Sequence, residues 1–407
     1  MSAMNPPWLT IIGIGDDGIE GLGDASRALV RHAQTLVAPD RVVNASDYPD
    51  AEVRLWSEGF DKTLSLIRER RDTPVVLLAT GDPMHYGIGA TLARHFGADE
   101  MQVIPAVSAF SLAAARLGWA LQDVDCITLH GRPVEKLTLS LAPGRRILAY
   151  TSNAETVREA AELLAATGYG ASRLSVLEHM GGAEERRADI TVEQAKRFRG
   201  SDFNTLAIEC VADGSQDFRS TVPGLPDDAF RHDGQMTKRE VRAASLAALG
   251  PYPGAVLWDV GAGCGSIAIE WLRAARGAKA IAIEDNKARR AMMADNATVL
   301  GVPELDIIEG RAPAALAGLV APDAVFIGGG VSEAGVFEAC FEALKPGGRL
   351  VANAVTVEGE ARLIALAQAH DGKLSRIAVS RAEPVGRFLA FKPLMPVTML
   401  EMTKGRT

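Results

Sequence analysis

The chain has 407 residues, 47% hydrophobic and 23% charged, a globular composition that excludes a mostly disordered or fibrous protein and predicts two or three folded cores. Forty-three Lys and Arg against 51 Asp and Glu leave a net charge of −8, which argues against a sequence-independent binder of nucleic acid. Met1 to Trp8 lacks the basic start and apolar run of a signal peptide, and no apolar stretch approaches the ~20 residues that cross a bilayer, so a cytoplasmic protein without membrane contact is expected.

Along the first half, short apolar runs at Leu9 to Ile12, Val75 to Ala79, Met101 to Ile104, Ile147 to Tyr150 and Leu206 to Val211 alternate with helical patterns, the rhythm of an α/β fold with largely parallel sheets. The first run delivers Gly13 and Gly15, and G-D-P-M-H-Y-G follows the second at Gly81 to Gly87. Taken singly, each is an ordinary turn. S-N-A-E at Ser152 to Glu155 has capping-box spacing for a helix that Gly168 would end. The cysteines Cys126, Cys210, Cys264 and Cys340 lie 84, 54 and 76 residues apart, which fits neither a metal-ligand pair nor a disulfide framework; buried thiols and no metal are expected.

From Val211 to Gln235 the periodicity fails in a stretch with two Pro, three Gly and five Asp, which predicts a boundary: a first domain over 1–213, a linker over 214–234 and a second domain over 235–407. T-K-R-E at Thr237 to Glu240 predicts another capping box, on a helix ending at Gly250. Further apolar runs follow at Val256 to Val260, Ala280 to Glu284, Ala324 to Ile327, Leu350 to Ala354, Arg387 to Phe391 and Val397 to Met402. The first opens onto D-V-G-A-G-C-G-S, with Gly261, Gly263 and Gly265 ahead of an amphipathic helix starting near Ser266. Glu284, 23 residues after Gly261, stands where a carboxylate accepts ribose hydroxyls, so an adenosine-type ligand is expected. Asp259 ahead of the glycines would repel a pyrophosphate and attract a cationic sulfonium.

In order, T-K-R-E-V-R, D-V-G-A-G-C-G-S, I-E-G-R-A-P and F-I-G-G-G resemble the class I methyltransferases of cobalamin biosynthesis that also decarboxylate. That resemblance implies a Rossmann-like domain in which Thr237, Gly261, Ala262, Gly263, Cys264, Gly265, Glu284, Arg311 and Ala312 surround S-adenosylmethionine, with Gly328, Gly329 and Gly330 as the floor beneath the substrate. In the first half the two glycine loops, with I-P-A-V-S-A at Ile104 to Ala109 and L-H-G-R at Leu129 to Arg132, resemble the tetrapyrrole methylase family and its two-lobed α/β fold. The implied cofactor contacts are Gly13, Gly15, Gly81, Asp82, Met84, Gly87 and Ser108. The family commonly has Pro after the first G-x-G, where this chain has Asp16 and Asp17.

The fused order resembles two-domain enzymes that methylate a reduced precorrin-6 at carbons 5 and 15 and remove the carbon-12 acetate carboxyl. It implies two S-adenosylmethionine sites, a polycarboxylate tetrapyrrole substrate and a homo-oligomer. Catalytic candidates are His130, as a proton acceptor, with Arg132 and Arg311; Arg145, Arg146, Arg239 and Arg242 join these two arginines as candidates for substrate carboxylates. The residues alone leave two other readings open, a nicotinamide-dependent oxidoreductase and a non-catalytic tetrapyrrole or adenosylmethionine sensor.

Overall fold

A computed structural model describes residues 7–56, 59–214 and 219–405, which divide into two compact units whose boundary falls between 214 and 219; residues 135–139 group with the second. The first unit opens with strands β1 (Leu9–Ile14), β2 (Thr35–Ala38), β3 (Glu52–Leu55), β4 (Val75–Thr80) and β5 (Met101–Ile104), all parallel in the order β3-β2-β4-β1-β5. β1 is buried along its whole length and β4 along all but its last residue, which is why each reads as an unbroken apolar run. A second sheet holds β6 (Asp125–Thr128), β7 (Arg146–Tyr150), β8 (Arg173–Glu178), β9 (Arg186–Thr191) and β10 (Asn204–Glu209) in the order β6-β7-β10-β8-β9. Only its β6–β7 pair is parallel, so this sheet departs from the expected parallel architecture.

The second unit is built on β11 (Val256–Val260), β12 (Lys279–Glu284), β13 (Asp306–Glu309), β14 (Ala324–Ile327), β15 (Arg349–Ala354), β16 (Lys373–Ile377) and β19 (Val397–Thr403). Their order is β13-β12-β11-β14-β15-β19-β16, parallel except for β19, which runs against both neighbours. A separate hairpin pairs β17 (Ser380–Val385) with β18 (Phe388–Pro393). The strand order reverses between β11 and β14, which opens a crevice at their C-terminal ends, the position where open α/β sheets bind ligands.

Several local expectations are corrected. Helix 154–166 is capped by Asn153, whose side chain accepts the Thr156 N–H at 3.1 Å, and not by Ser152. Helix 239–249 has Lys238 at its N-cap, so Thr237 lies outside the helix; the first-turn Arg239 N–H is taken by Asp227 Oδ1 at 2.9 Å, and Gly250 ends the helix in the left-handed region as expected. The helix at Ser266–Ala274 is buried from Ser266 to Arg273 rather than amphipathic, because it packs into the main core with Trp271 and Ile269 fully enclosed. The stretch read as a linker contributes Leu225 and Phe230 to that same core, and Glu270 accepts the Gly224 and Leu225 N–H groups. Cys126 is half-buried while the other three cysteines are buried, and all four are free. Among the described residues no helix is long and apolar enough to cross a membrane, and no cluster of three or more His, Cys, Asp or Glu could hold a metal.

Candidate active sites

In the second unit, Gly261 leaves β11 at φ +70°, and a Cβ placed there would stand 3.1 Å from the Gly329 nitrogen. The loop after β11 and the Gly328–Gly330 loop after β14 therefore meet backbone to backbone, and only a residue without a side chain permits it. Gly261 and Ala262 N–H both donate to the Ile283 carbonyl, at 3.0 and 3.1 Å, fixing the loop to β12. Glu284, at the end of β12, accepts the Gly263 N–H on Oε2 at 2.8 Å and the Asn286 N–H on Oε1 at 2.9 Å. Its carboxylate shapes the glycine loop, and each oxygen retains a lone pair for an incoming hydroxyl.

Asp259 is 1% exposed; Oδ2 accepts the Ala268 N–H at 3.0 Å, while Oδ1 has no partner. Burial pushes its carboxyl up to about 7, and the negative charge of Glu284 adds to the effect. An orphaned acceptor at this position suits an ammonium or another N–H donor.

These groups line one cavity of about 780 Å³, together with Thr237, Cys264, Gly310, Arg311, Ala312 and the Gly328–Gly330 loop. The sequence-predicted residues of this half thus converge on one space, apart from Gly265, which instead caps helix 266–274 in the left-handed region. Arg311 reaches the rim but pairs with Asp285 at 2.7 Å and is largely exposed. The lining also includes polar residues that the sequence analysis did not single out, among them Lys238, Arg289 and Asn353. Asn353 donates to the Ser245 hydroxyl at 2.9 Å and leaves its own Oδ1 buried without a partner.

In the first unit, a Cβ on Gly13 would lie 2.5 Å from both the Ala106 nitrogen and the Gly81 carbonyl oxygen. The end of β1 and the loops after β4 and β5 therefore press together. Asp82 Oδ1 accepts the Met84 N–H at 2.8 Å, Gly87 packs against the Asp82 and Pro83 carbonyls, and the Met84 side chain is 48% exposed. Ser108 caps helix 109–117 by accepting the Ser111 N–H at 3.1 Å. Its hydroxyl also meets Tyr150, whose phenol burial pushes up to about 12, and Tyr150 stacks on Phe110 with centroids 3.8 Å apart. Helix 109–117 is thereby packed onto β7 of the second sheet.

The acids that replace the family's usual proline are held in place. Asp16 pairs with Arg41 and, at 3.0 Å, with His179 Nδ1, while His179 Nε2 lies 2.8 Å from the Ser201 hydroxyl. Arg41 also reaches the Thr80 hydroxyl at 3.2 Å and stacks over Phe203, so it ties the first glycine loop to the end of β4. No motif marks Arg41, His179 or Ser201. Gly15 packs against the neighbouring Asp17 carboxylate, whose Oδ1 would lie 2.5 Å from a Cβ placed there. His130 and Arg132 are exposed; His130 Nδ1 lies 3.2 Å from the Thr151 carbonyl, which can only accept, so the proton sits on that nitrogen.

The fold is that of two different α/β modules in tandem. Residues 9–196 match the family described as Tetrapyrrole (Corrin/Porphyrin) Methylases, and residues 228–404 match the Precorrin methyltransferase domain. The chain belongs to the family of precorrin-6Y C(5,15)-methyltransferases (decarboxylating): it is 48% identical to the Sinorhizobium sp. enzyme of that name, across 99% of this chain and 98% of that one. Each half also has separate relatives. The Salmonella typhimurium cobalt-precorrin-7 C(5)-methyltransferase is 32% identical over 44% of this chain and 88% of its own. A probable cobalt-precorrin-6B C(15)-methyltransferase (decarboxylating) of Pyrobaculum calidifontis is 35% identical over 44% of this chain and 95% of its own. The family sets aside the oxidoreductase and sensor readings: the chain is a methyltransferase with decarboxylase activity acting in cobalamin biosynthesis.

Proposed function

We propose that the chain methylates one reduced corrin precursor twice: the second unit acts at carbon 15 and releases carbon dioxide from the carbon-12 acetate, and the first unit then acts at carbon 5. The observation that carries this reading is that the two family matches fall on different units, each with its own glycine cradle. The order is supported by the names of the half-length relatives, since the carbon-15 enzyme is named for cobalt-precorrin-6B and the carbon-5 enzyme for cobalt-precorrin-7.

The second unit's residues fit S-adenosylmethionine. Glu284 offers acceptors for two ribose hydroxyls, the backbone contact of Gly261 with Gly329 makes a floor without side chains, and the unpartnered Asp259 Oδ1 suits the amino group. In the first unit the cradle comprises Gly13, Gly81, Asp82, Met84, Gly87 and Ser108. When bound, the cofactor would supply a sulfonium methyl: a meso carbon of the electron-rich macrocycle would attack that methyl in line, and the neutral thioether would leave with the electron pair of the broken sulfur–methyl bond. The chain's task is then mainly to hold carbon and methyl in register and to exclude water. Methylation at carbon 15 leaves the macrocycle short of electrons, and breaking the acetate's bond to its carboxylate returns an electron pair into the conjugated system. No side-chain nucleophile is needed for either step.

Calorimetric titration of the intact chain with S-adenosylmethionine tests the two-site reading: two equivalents should bind, and a plateau at one would overturn it. The same reading expects a homo-oligomer in the cytoplasm, the first part of which light scattering checks.

A further inference from the structure

A carboxylate-bearing substrate in a net-negative protein calls for specific cations. Of the six arginines that the sequence offers, four are already committed. Arg145 forks onto Asp125 at 2.7 Å, Arg146 lies 3.6 Å from Glu209, Arg242 is fully buried between Glu270 and Asp227, and Arg311 pairs with Asp285. Arg132 and Arg239 are exposed and lie outside the second unit's cavity lining.

Three cations line that cavity: Lys238, Arg289 and Arg311. Arg289 is held by Asp233 at 2.8 Å and by Gln235 at 2.6 Å, and Arg311 by Asp285. The two acids nearest Lys238 in sequence are spoken for too, Glu240 by Arg381 and Asp233 by Arg289, and so is Asp227, by Arg242 and Arg381. Among the described residues the half-buried Lys238 ammonium forms no ion pair and no hydrogen bond. It also stands at the N-cap of helix 239–249, where its own side chain makes no cap and Asp227 Oδ1 instead accepts the Arg239 N–H at 2.9 Å, which leaves the ammonium free of the helix end.

We propose that Lys238 is the substrate-positioning residue of the second unit, gripping a carboxylate that the macrocycle retains. This rests on the carbon-15 reading of that unit. A departing carboxylate becomes neutral carbon dioxide, so an ammonium paired with it would stabilise the ground state more than the transition state and slow the reaction. A retained carboxylate stays charged throughout, and its pairing with Lys238 orients the ring without opposing either bond change.

The test uses the full chain with saturating S-adenosylmethionine and a precorrin-6B-type substrate. Lys238→Gln should raise the KM for tetrapyrrole about 10- to 100-fold, with kcat within about threefold, as expected for lost binding common to ground and transition states. The S-adenosylmethionine affinity should be unchanged, carbon dioxide and methyl transfer should stay one to one, and Lys238→Arg should recover most of the KM. An unmoved KM overturns the proposal, as does a parallel loss of cofactor affinity, which would place Lys238 against the cofactor. Excess carbon dioxide per methyl would show that Lys238 holds the departing group instead. Absence of carbon dioxide from the unaltered chain would fail the carbon-15 reading itself, a result distinct from these.

Discussion

Two acids within one cavity show how environment separates like residues. Glu284 is anchored by two backbone N–H groups and Asp259 by one, with its second oxygen orphaned and its carboxyl pushed up to about 7. Replacing Glu284 by Ala removes a charged acceptor and also frees the Gly263 turn. A loss of about 2 to 3 kcal/mol, roughly 100-fold in affinity, is expected at one of the two cofactor equivalents, with the other unchanged in calorimetry. For Asp259 the raised folded value fixes the sign of a pH effect. Below about pH 4 both states are protonated; between there and pH 7 the unfolded chain loses its proton first and folding is weakened as pH rises. Asp259→Asn should therefore gain stability relative to the unaltered cofactor-free chain across that window, by up to a few kcal/mol on the order set by ~3 pH units. Parallel urea midpoints for the two proteins at all pH values would contradict the burial account.

At the scale of elements, the capping correction is testable. Asn153→Ala removes a true cap and should cost about 1 kcal/mol in urea unfolding, whereas Thr237→Ala removes none and should leave the midpoint within about 0.5 kcal/mol. The spacing S/T-x-x-E matched both sites, but a cap also needs an extended backbone at the right residue, and that depends on how the preceding loop arrives. Buried central strands were legible: β11 and β14 occupy the predicted residues, because strands enclosed on both faces must be apolar throughout. β9 and β16 were not, since each is an edge strand with most residues facing solvent and shows no apolar run. β18 misleads in the other direction: its F-L-A-F run looks like core, yet every residue of the strand is exposed.

Across the whole molecule, the glycine loops carried most of what could be read, because close backbone contacts such as Gly13 with Ala106 and Gly261 with Gly329 demand glycine whatever surrounds them. The polar partners did not show. The network of Asp16, Arg41, His179 and Ser201 pairs Asp16 directly with a residue 163 positions away, and Lys238 was hidden inside a sequence that reads as a helix cap. Selection by residue type favoured arginine, but four of those six arginines found acids within the protein, and pairing is a property of the fold. Division of labour between the units remains the central claim. It is tested most directly by Gly13→Ala in the full chain, since the added Cβ must displace the backbone at Ala106 and Gly81 in the first unit alone. With a precorrin-6B-type substrate and labelled methyl donor, this variant should release one carbon dioxide per methyl transferred and accumulate the singly methylated product. Failure to release carbon dioxide, or incorporation of a second methyl at the unaltered rate, would contradict the assignment of the two reactions to separate units.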